Sequence, residues 1–134
     1  MAFSFSTRSL RNLIGVHPDL VQIMHKSLEC VPYDFIVTEG VRSYARQVQL
    51  VKEGKSQTYN SYHLRQSDGY GHAVDVCLIL PDNSITWEPR YYLKDADIIL
   101  ELARKKRVRL TWGGDFGTRT HGQGWDCPHF EIHT

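Results

Sequence analysis

The chain has 134 residues, 41% of them apolar and 23% charged, with a formal charge of +1. That length and balance fit one ordinary globular core rather than a disordered or fibrous chain. A charge so close to zero supplies no global field for nucleic acid, and no apolar run approaches the roughly 18 residues of a membrane span.

The opening stretch, MAFSFSTRSLRN, lacks the charged-then-apolar order of a signal peptide. The expectation is therefore synthesis in the cytoplasm, with any export dependent on another factor. Cys30, Cys77 and Cys127 show no CxxC spacing, which argues against a disulfide framework and a cysteine-based zinc site. Cys77 lies in an apolar run and reads as a small buried hydrophobe.

From Pro18 to Leu28, apolar residues at 20, 23, 24 and 28 keep helical spacing, and Pro18 suits a first turn. "YDFIVTEG" (33–40) reads as a short strand ended by Gly40. A second helix is expected over 43–53, with Ser43 as N-cap, Ala45, Val48 and Val51 on one side, and Gly54 as the stop. Residues 54–71 are polar and glycine-containing, without an apolar period. A loop this long in a small domain is usually functional or mobile.

"HAVDVCLIL" (72–80) is strand-like, and Pro81-Asp82-Asn83 turns it towards a second strand at 84–87. Residues 91–107 return to helical spacing and end in Arg104-Lys105-Lys106-Arg107. Cations there complement a helix C-terminus, so this cluster reads as a solvated helix end, with a polyanion contact as the alternative. "VRLTW" (108–112) and "HFEIH" (129–133) alternate as strands. Helices and hairpin-like strands in this order give an α+β fold with a small, mostly antiparallel sheet.

Seven histidines are present, and five of them fall in two segments, 61–75 and 121–133, that also carry carboxylates. His17 and His25 have no acidic partner at ligand spacing and read as surface or packing residues. Along an extended strand, His72 and Asp75 are an odd number of positions apart and point to opposite faces. His63, carried by the loop, is free to fold over Asp75. The alternation thus favours His63 over His72 as Asp75's partner, with His72 kept as the alternative. In "PHFEIH", Phe130 and Ile132 face one way, and His129, Glu131 and His133 share the other. Pro128 interrupts the ladder, so Asp126 belongs to a turn just before the strand. Two histidines and one carboxylate with an open fourth position match a catalytic zinc site, and a further carboxylate beside it suits proton transfer.

"SYH…GHAVD" followed by "WDCPHFEIH" resembles the zinc D-Ala-D-Ala carboxypeptidase family of peptidoglycan peptidases, and in particular its phage endolysin branch, which cleaves between L-alanine and D-glutamate. Ser61 and His63 match the SxH of the motif SxHxxGxAxD, Gly71, Ala73 and Asp75 match its GxAxD, and Asp126 with His129 matches the later acidic-xx-His pair. The resemblance implies a D,D-peptidase-like (Hedgehog-like) fold and a Zn2+ ion held by His63, Asp75 and His129, with Asp126 as general base and then acid. "TEGVRSYARQ" (38–47) resembles the family segment whose arginine reaches the cleft, which assigns Arg42 to the scissile carbonyl. "WGGDF" (112–116) resembles the family's WGGDW; its glycines read as tight-turn positions and Asp115 as a structural hydrogen-bonding residue. His121 and His133 have no counterpart and are expected to be exposed. One departure stands out: Leu64 to Tyr70 separate His63 from Gly71, where the basic pattern has a much shorter gap.

The implied protein is a monomeric, single-domain zinc peptidase over residues 1–134, without a separate cell-wall-binding module. It would act on the peptidoglycan stem peptide once the membrane has been permeabilised. The alternatives are a D,D-carboxypeptidase with the same ligands, and a zinc-containing binding module without catalysis. Asp126 speaks against the last, because a binding module needs no base there.

Overall fold

The computed structural model describes residues 3–134. In chain order it comprises α1 (Thr7–Asn12), α2 (Pro18–Leu28), β1 (Asp34–Glu39), α3 (Tyr44–Lys52), β2 (Ala73–Ile79), β3 (Ile85–Thr86), α4 (Pro89–Lys105), β4 (Arg109–Trp112), a 3-10 turn (Gly113–Asp115) and β5 (His129–His133). The sheet is antiparallel with strand order β1-β2-β5-β4, and β3 pairs with the end of β2. The α+β reading holds.

One face of the sheet builds the core. Val74, Val76 and Leu78 alternate inward from β2 and meet Phe130 and Ile132 of β5. Leu20, Ile23, Met24 and Leu28 of α2, with Tyr92, Ala96, Ile99 and Ala103 of α4, close over them. Those spacings are the helical ones that the sequence shows. Cys77 is buried, as expected. Among the described residues no helix is long and apolar enough to cross a membrane.

Three elements depart from the sequence reading. The helix α1 was not expected; Ser6 caps it by accepting from the Ser9 N–H at 3.2 Å. It also serves the edge strand, since Ser9 Oγ accepts from Val37 N at 2.9 Å and Asn12 Nδ2 donates to Val37 O at 2.8 Å. Both backbone groups of Val37 are thereby satisfied beside a bulge, where the β1–β2 register shifts between Val37 and Glu39. In α3, Ser43 is the N-cap as predicted, but Ala45 is exposed and the fully buried residue is Gln47. Hydrophobic spacing cannot reveal a buried amide. Finally, α4 begins at Pro89, whose ring suits a first helical position, and ends at Lys105 ahead of Arg107, which takes φ +61°. The basic cluster is therefore a helix end: Arg104 pairs with Glu101, and Lys106 Nζ donates to Gln22.

Candidate metal centre

The sheet register assembles the site. Asp75 lies opposite Glu39 on one side and opposite His129 on the other, so three polar residues of three strands form one row. The bulge in β1 sets this row, since it brings Glu39 rather than Thr38 level with Asp75. His63 reaches the same point from the 54–71 loop and is 2% exposed. Ligand atoms of His63, Asp75 and His129 lie within 4.8 Å of one another.

Hydrogen bonds decide which nitrogen of each imidazole is available. His63 Nδ1 is 2.9 Å from Gly40 O, and a carbonyl only accepts, so the proton sits on Nδ1. Its Nε2 is left as a bare lone pair, buried and without a hydrogen-bond partner, 3.3 Å from Asp75 Oδ1. A buried acceptor left unpaired is costly, and a cation at that point would relieve it. Gly40 makes this arrangement possible, because a Cβ there would collide with the backbone oxygen of Asn12.

His129 is oriented in the opposite sense. Its Nε2 donates to Glu131 Oε1 at 2.7 Å, and Nδ1 faces Asp75 Oδ1 at 3.2 Å. Burial alone would lower the basicity of this ring, but the hydrogen bonds to Asp75 and Glu131 push it up to about 9. Burial likewise opposes ionisation of Asp75, yet the hydrogen bond from His129 holds its carboxyl well below the usual carboxylate range. Without a metal, a proton on His129 Nδ1 thus neutralises the carboxylate where an ion would otherwise do so. Two imidazole nitrogens and a carboxylate oxygen, each with its outer atom anchored, suit a divalent transition metal.

Asp126 stands just outside this group, with Oδ2 4.0 Å from His129 Nδ1. Its backbone N–H donates to Gly113 O at 3.1 Å, and its own carbonyl accepts from His129 N at 3.1 Å. Gly113 must be glycine because a Cβ would strike the Asp126 carbonyl. Both glycines lie in the tight 3-10 turn, as expected; neither has a positive φ, and close approach explains the one at 113. Burial raises the Asp126 carboxyl above its ordinary value. A carboxylate made more basic by burial and held beside a metal site suits proton transfer.

Arg42 follows β1 and is fixed from three sides. Its Nε and Nη2 form a bidentate pair with Glu39 at 2.5 and 2.9 Å, and Nη1 donates to Gln47 Oε1 at 2.8 Å. Ser61 Oγ lies 3.5 Å from Nη1 and also accepts from the His63 N–H at 3.1 Å. Gln47 Nε2 in turn donates to Thr58 O and Ser56 Oγ. A single buried amide therefore ties the arginine to the loop that carries His63. Glu39 was not singled out from the sequence, and Gln47 only as the last residue of the matched segment, with no role assigned. The signal for both was weak: polar residues within the "TEGVRSYARQ" segment.

His72 is not in this centre. Its Nε2 is 2.7 Å from Asp68 Oδ2, and the His17 Nε2 is 3.8 Å from the same oxygen. His17, read from sequence as lacking an acidic partner, gains one because the loop brings Asp68 to it. Asp115 is structural, as expected, accepting from Gly122 N at 3.0 Å and pairing with His121. His121 is exposed and also pairs with Asp97. His133 is half-buried rather than exposed, because Glu131 Oε2 and Thr111 Oγ1 hold its ring.

A family model described as phage L-alanyl-D-glutamate peptidase matches residues 1–133. The L-alanyl-D-glutamate peptidase of Escherichia phage T5 is 36% identical over 142 residues, covering 98% of this chain and 99% of that protein. The peptidoglycan L-alanyl-D-glutamate endopeptidase CwlK of Bacillus subtilis (strain 168) is 32% identical over 113 residues, covering 74% of this chain and 60% of that one. Among solved structures, the Serratia marcescens L-Ala D-Glu endopeptidase ChiX superposes with a TM-score of 0.81 at 39% identity, covering 98% of this chain and 91% of that one.

Proposed function

This chain belongs to the phage L-alanyl-D-glutamate peptidase family, and on that premise we propose that it is a zinc-dependent endolysin that hydrolyses the L-alanyl–D-glutamate bond of the peptidoglycan stem peptide. The observation that carries the metal dependence is the buried, unpaired His63 Nε2 beside Asp75 and His129.

His63 through Nε2, Asp75 through a carboxylate oxygen and His129 through Nδ1 would hold the ion. Gly40 and Glu131 keep the two tautomers in place. When bound, zinc supplies Lewis acidity, polarising a carbonyl and making water acidic enough to attack near neutral pH. Asp126 then accepts the water proton at its carboxylate and returns it to the departing amine of D-glutamate. Its burial suits that duty, because a carboxylate of raised pKa is a stronger base for the water proton and still acid enough to pass it to the amine. Arg42, immobilised by Glu39 and Gln47, places a fixed positive charge by the cleft to favour the developing oxyanion. In this reading the chain acts as a monomer and serves host lysis, reaching the cell wall after the membrane has been opened.

Digestion of purified peptidoglycan tests the reaction. New L-alanine carboxyl termini and D-glutamate amino termini are expected, without free D-alanine. Free D-alanine as the main product would instead mark a carboxypeptidase, and no new termini at all would mark a binding module.

A further inference from the structure

Trp125 immediately precedes Asp126 and is 76% exposed, the most exposed of the large hydrophobic side chains described. Nothing in the metal centre or the proton transfer uses it. It is nonetheless not a loose side chain: its ring packs on Phe116 with centroids 5.6 Å apart and lies over Gly117. Phe116 in turn packs on the His129 ring, again at 5.6 Å. The indole is thus the outer member of an aromatic row that starts at a metal-centre histidine. A backed and solvent-facing apolar plane beside a reaction centre is a feature of ligand recognition rather than of folding.

Resting on the function proposed above, we propose that Trp125 is a carbohydrate platform that stacks against the muramyl sugar of the substrate. The chemistry of peptidoglycan supplies the match. The L-alanine at the scissile bond is joined through its amino group to the lactyl ether of N-acetylmuramic acid. Alanine and lactyl group together span about two residue lengths, roughly 7 Å, before the pyranose begins. Two ring-to-ring steps of 5.6 Å put the Trp125 ring no more than about 11 Å from the His129 ring, a span that the linker and the pyranose beyond it can bridge. The apolar C–H face of a pyranose needs a flat, exposed aromatic partner, which the indole offers. Specificity for glycan-linked stems over free peptides would follow.

The measurement is the ratio of kcat/KM on a disaccharide-linked stem peptide to that on the same peptide without sugar, in the wild type and in Trp125→Ala and Trp125→Tyr. The wild-type ratio should exceed unity, fall about tenfold in Trp125→Ala, and be largely restored in Trp125→Tyr. A variant that is merely damaged lowers both rates and leaves the ratio alone. An unchanged ratio in Trp125→Ala overturns the platform. Indole fluorescence titrated with peptide-free GlcNAc-MurNAc disaccharide tests it without turnover. A saturable change that Trp125→Phe abolishes supports the site, and no change counts against it. If the wild type cleaves neither substrate, the proposed activity fails, and the fluorescence result still decides the sugar site.

Discussion

Among the described residues two His–Asp–His clusters have a similar composition, and they differ in how their imidazoles are held. In both His63–Asp75–His129 and His17–Asp68–His72, the ligand atoms lie within 4.8 Å of one another. The difference lies in the outer atoms of the imidazoles. His63 gives its Nδ1 proton to Gly40 O and keeps a bare Nε2 towards Asp75. His17 does the reverse: its Nδ1 accepts the Asp19 N–H at 3.1 Å as the N-cap of α2, so in the neutral ring Nε2 carries the proton. A metal could bind that nitrogen only at the expense of the helix cap. His72 is already hydrogen-bonded to Asp68, which is exposed and also accepts from Tyr70 N. The second cluster is a fastener: it pins the 54–71 loop to the start of α2. Proximity of histidine and aspartate is therefore insufficient evidence of a metal site; the direction of each lone pair decides.

The largest expected effects come from the first cluster. His63→Ala should reduce bound zinc from about one per chain to near zero and abolish lysis, while His72→Ala retains most of its metal. Elemental analysis of both purified variants decides this, and the opposite pattern would reverse the comparison. Strong chelation of the wild type should lower its Tm as well as its activity, because an ion that binds only the folded site stabilises that state. Asp126→Ala should keep its zinc and lose at least about 10²-fold in hydrolysis, as for the loss of a general base. If zinc is lost with it, Asp126 is a ligand and not the base.

How far these roles can be read from the sequence depends on what placed each residue. His129, Glu131 and His133 on one face follow from strand alternation alone, as does the separation of His72 from Asp75. Arg42 was marked by its motif, but what holds it was not. Glu39 becomes its partner because a bulge shifts β1 by one residue, and no sequence pattern announces a bulge. Gln47 is a polar residue whose burial arises from the loop folded over it. His17 gained Asp68 through a loop closure that spans some fifty residues of sequence, beyond the reach of any local period. Periodicity identifies faces; it does not identify what a long loop brings to them.

Intermediate effects should follow from the outer atoms. Glu131→Ala removes the acceptor that keeps the His129 proton on Nε2. Zinc affinity, measured by competition with a chelator, should weaken about 10- to 100-fold, as for other partners of metal-bound histidines. Glu131→Gln should lose less, because its carbonyl oxygen can still accept. In the second cluster the corresponding change should act on stability alone. Asp68→Asn removes the charge that joins two histidines and should lower the Tm slightly, with zinc content unchanged.

A last effect sharpens the comparison from outside, through a buried aspartate that has no histidine at all. Asp95 of α4 is 1% exposed, accepts from Tyr33 N at 3.2 Å through Oδ1, and leaves Oδ2 without a partner. Burial pushes its carboxyl up to about 8, the opposite of the direction that histidine contacts impose on Asp75. Because the folded value lies above the unfolded one, the folded state holds the extra proton between about pH 4 and pH 8. Stability from this group is therefore complete below pH 4 and declines as the pH rises through that window. Asp95→Asn has no proton to lose and should remove that decline, gaining on the order of 1–3 kcal/mol over the wild type between pH 5 and pH 8. Denaturant unfolding of the chelated proteins at both pH values isolates the effect from metal binding. Equal slopes in wild type and variant would mean that water reaches Oδ2, and that this carboxylate is solvated rather than bare.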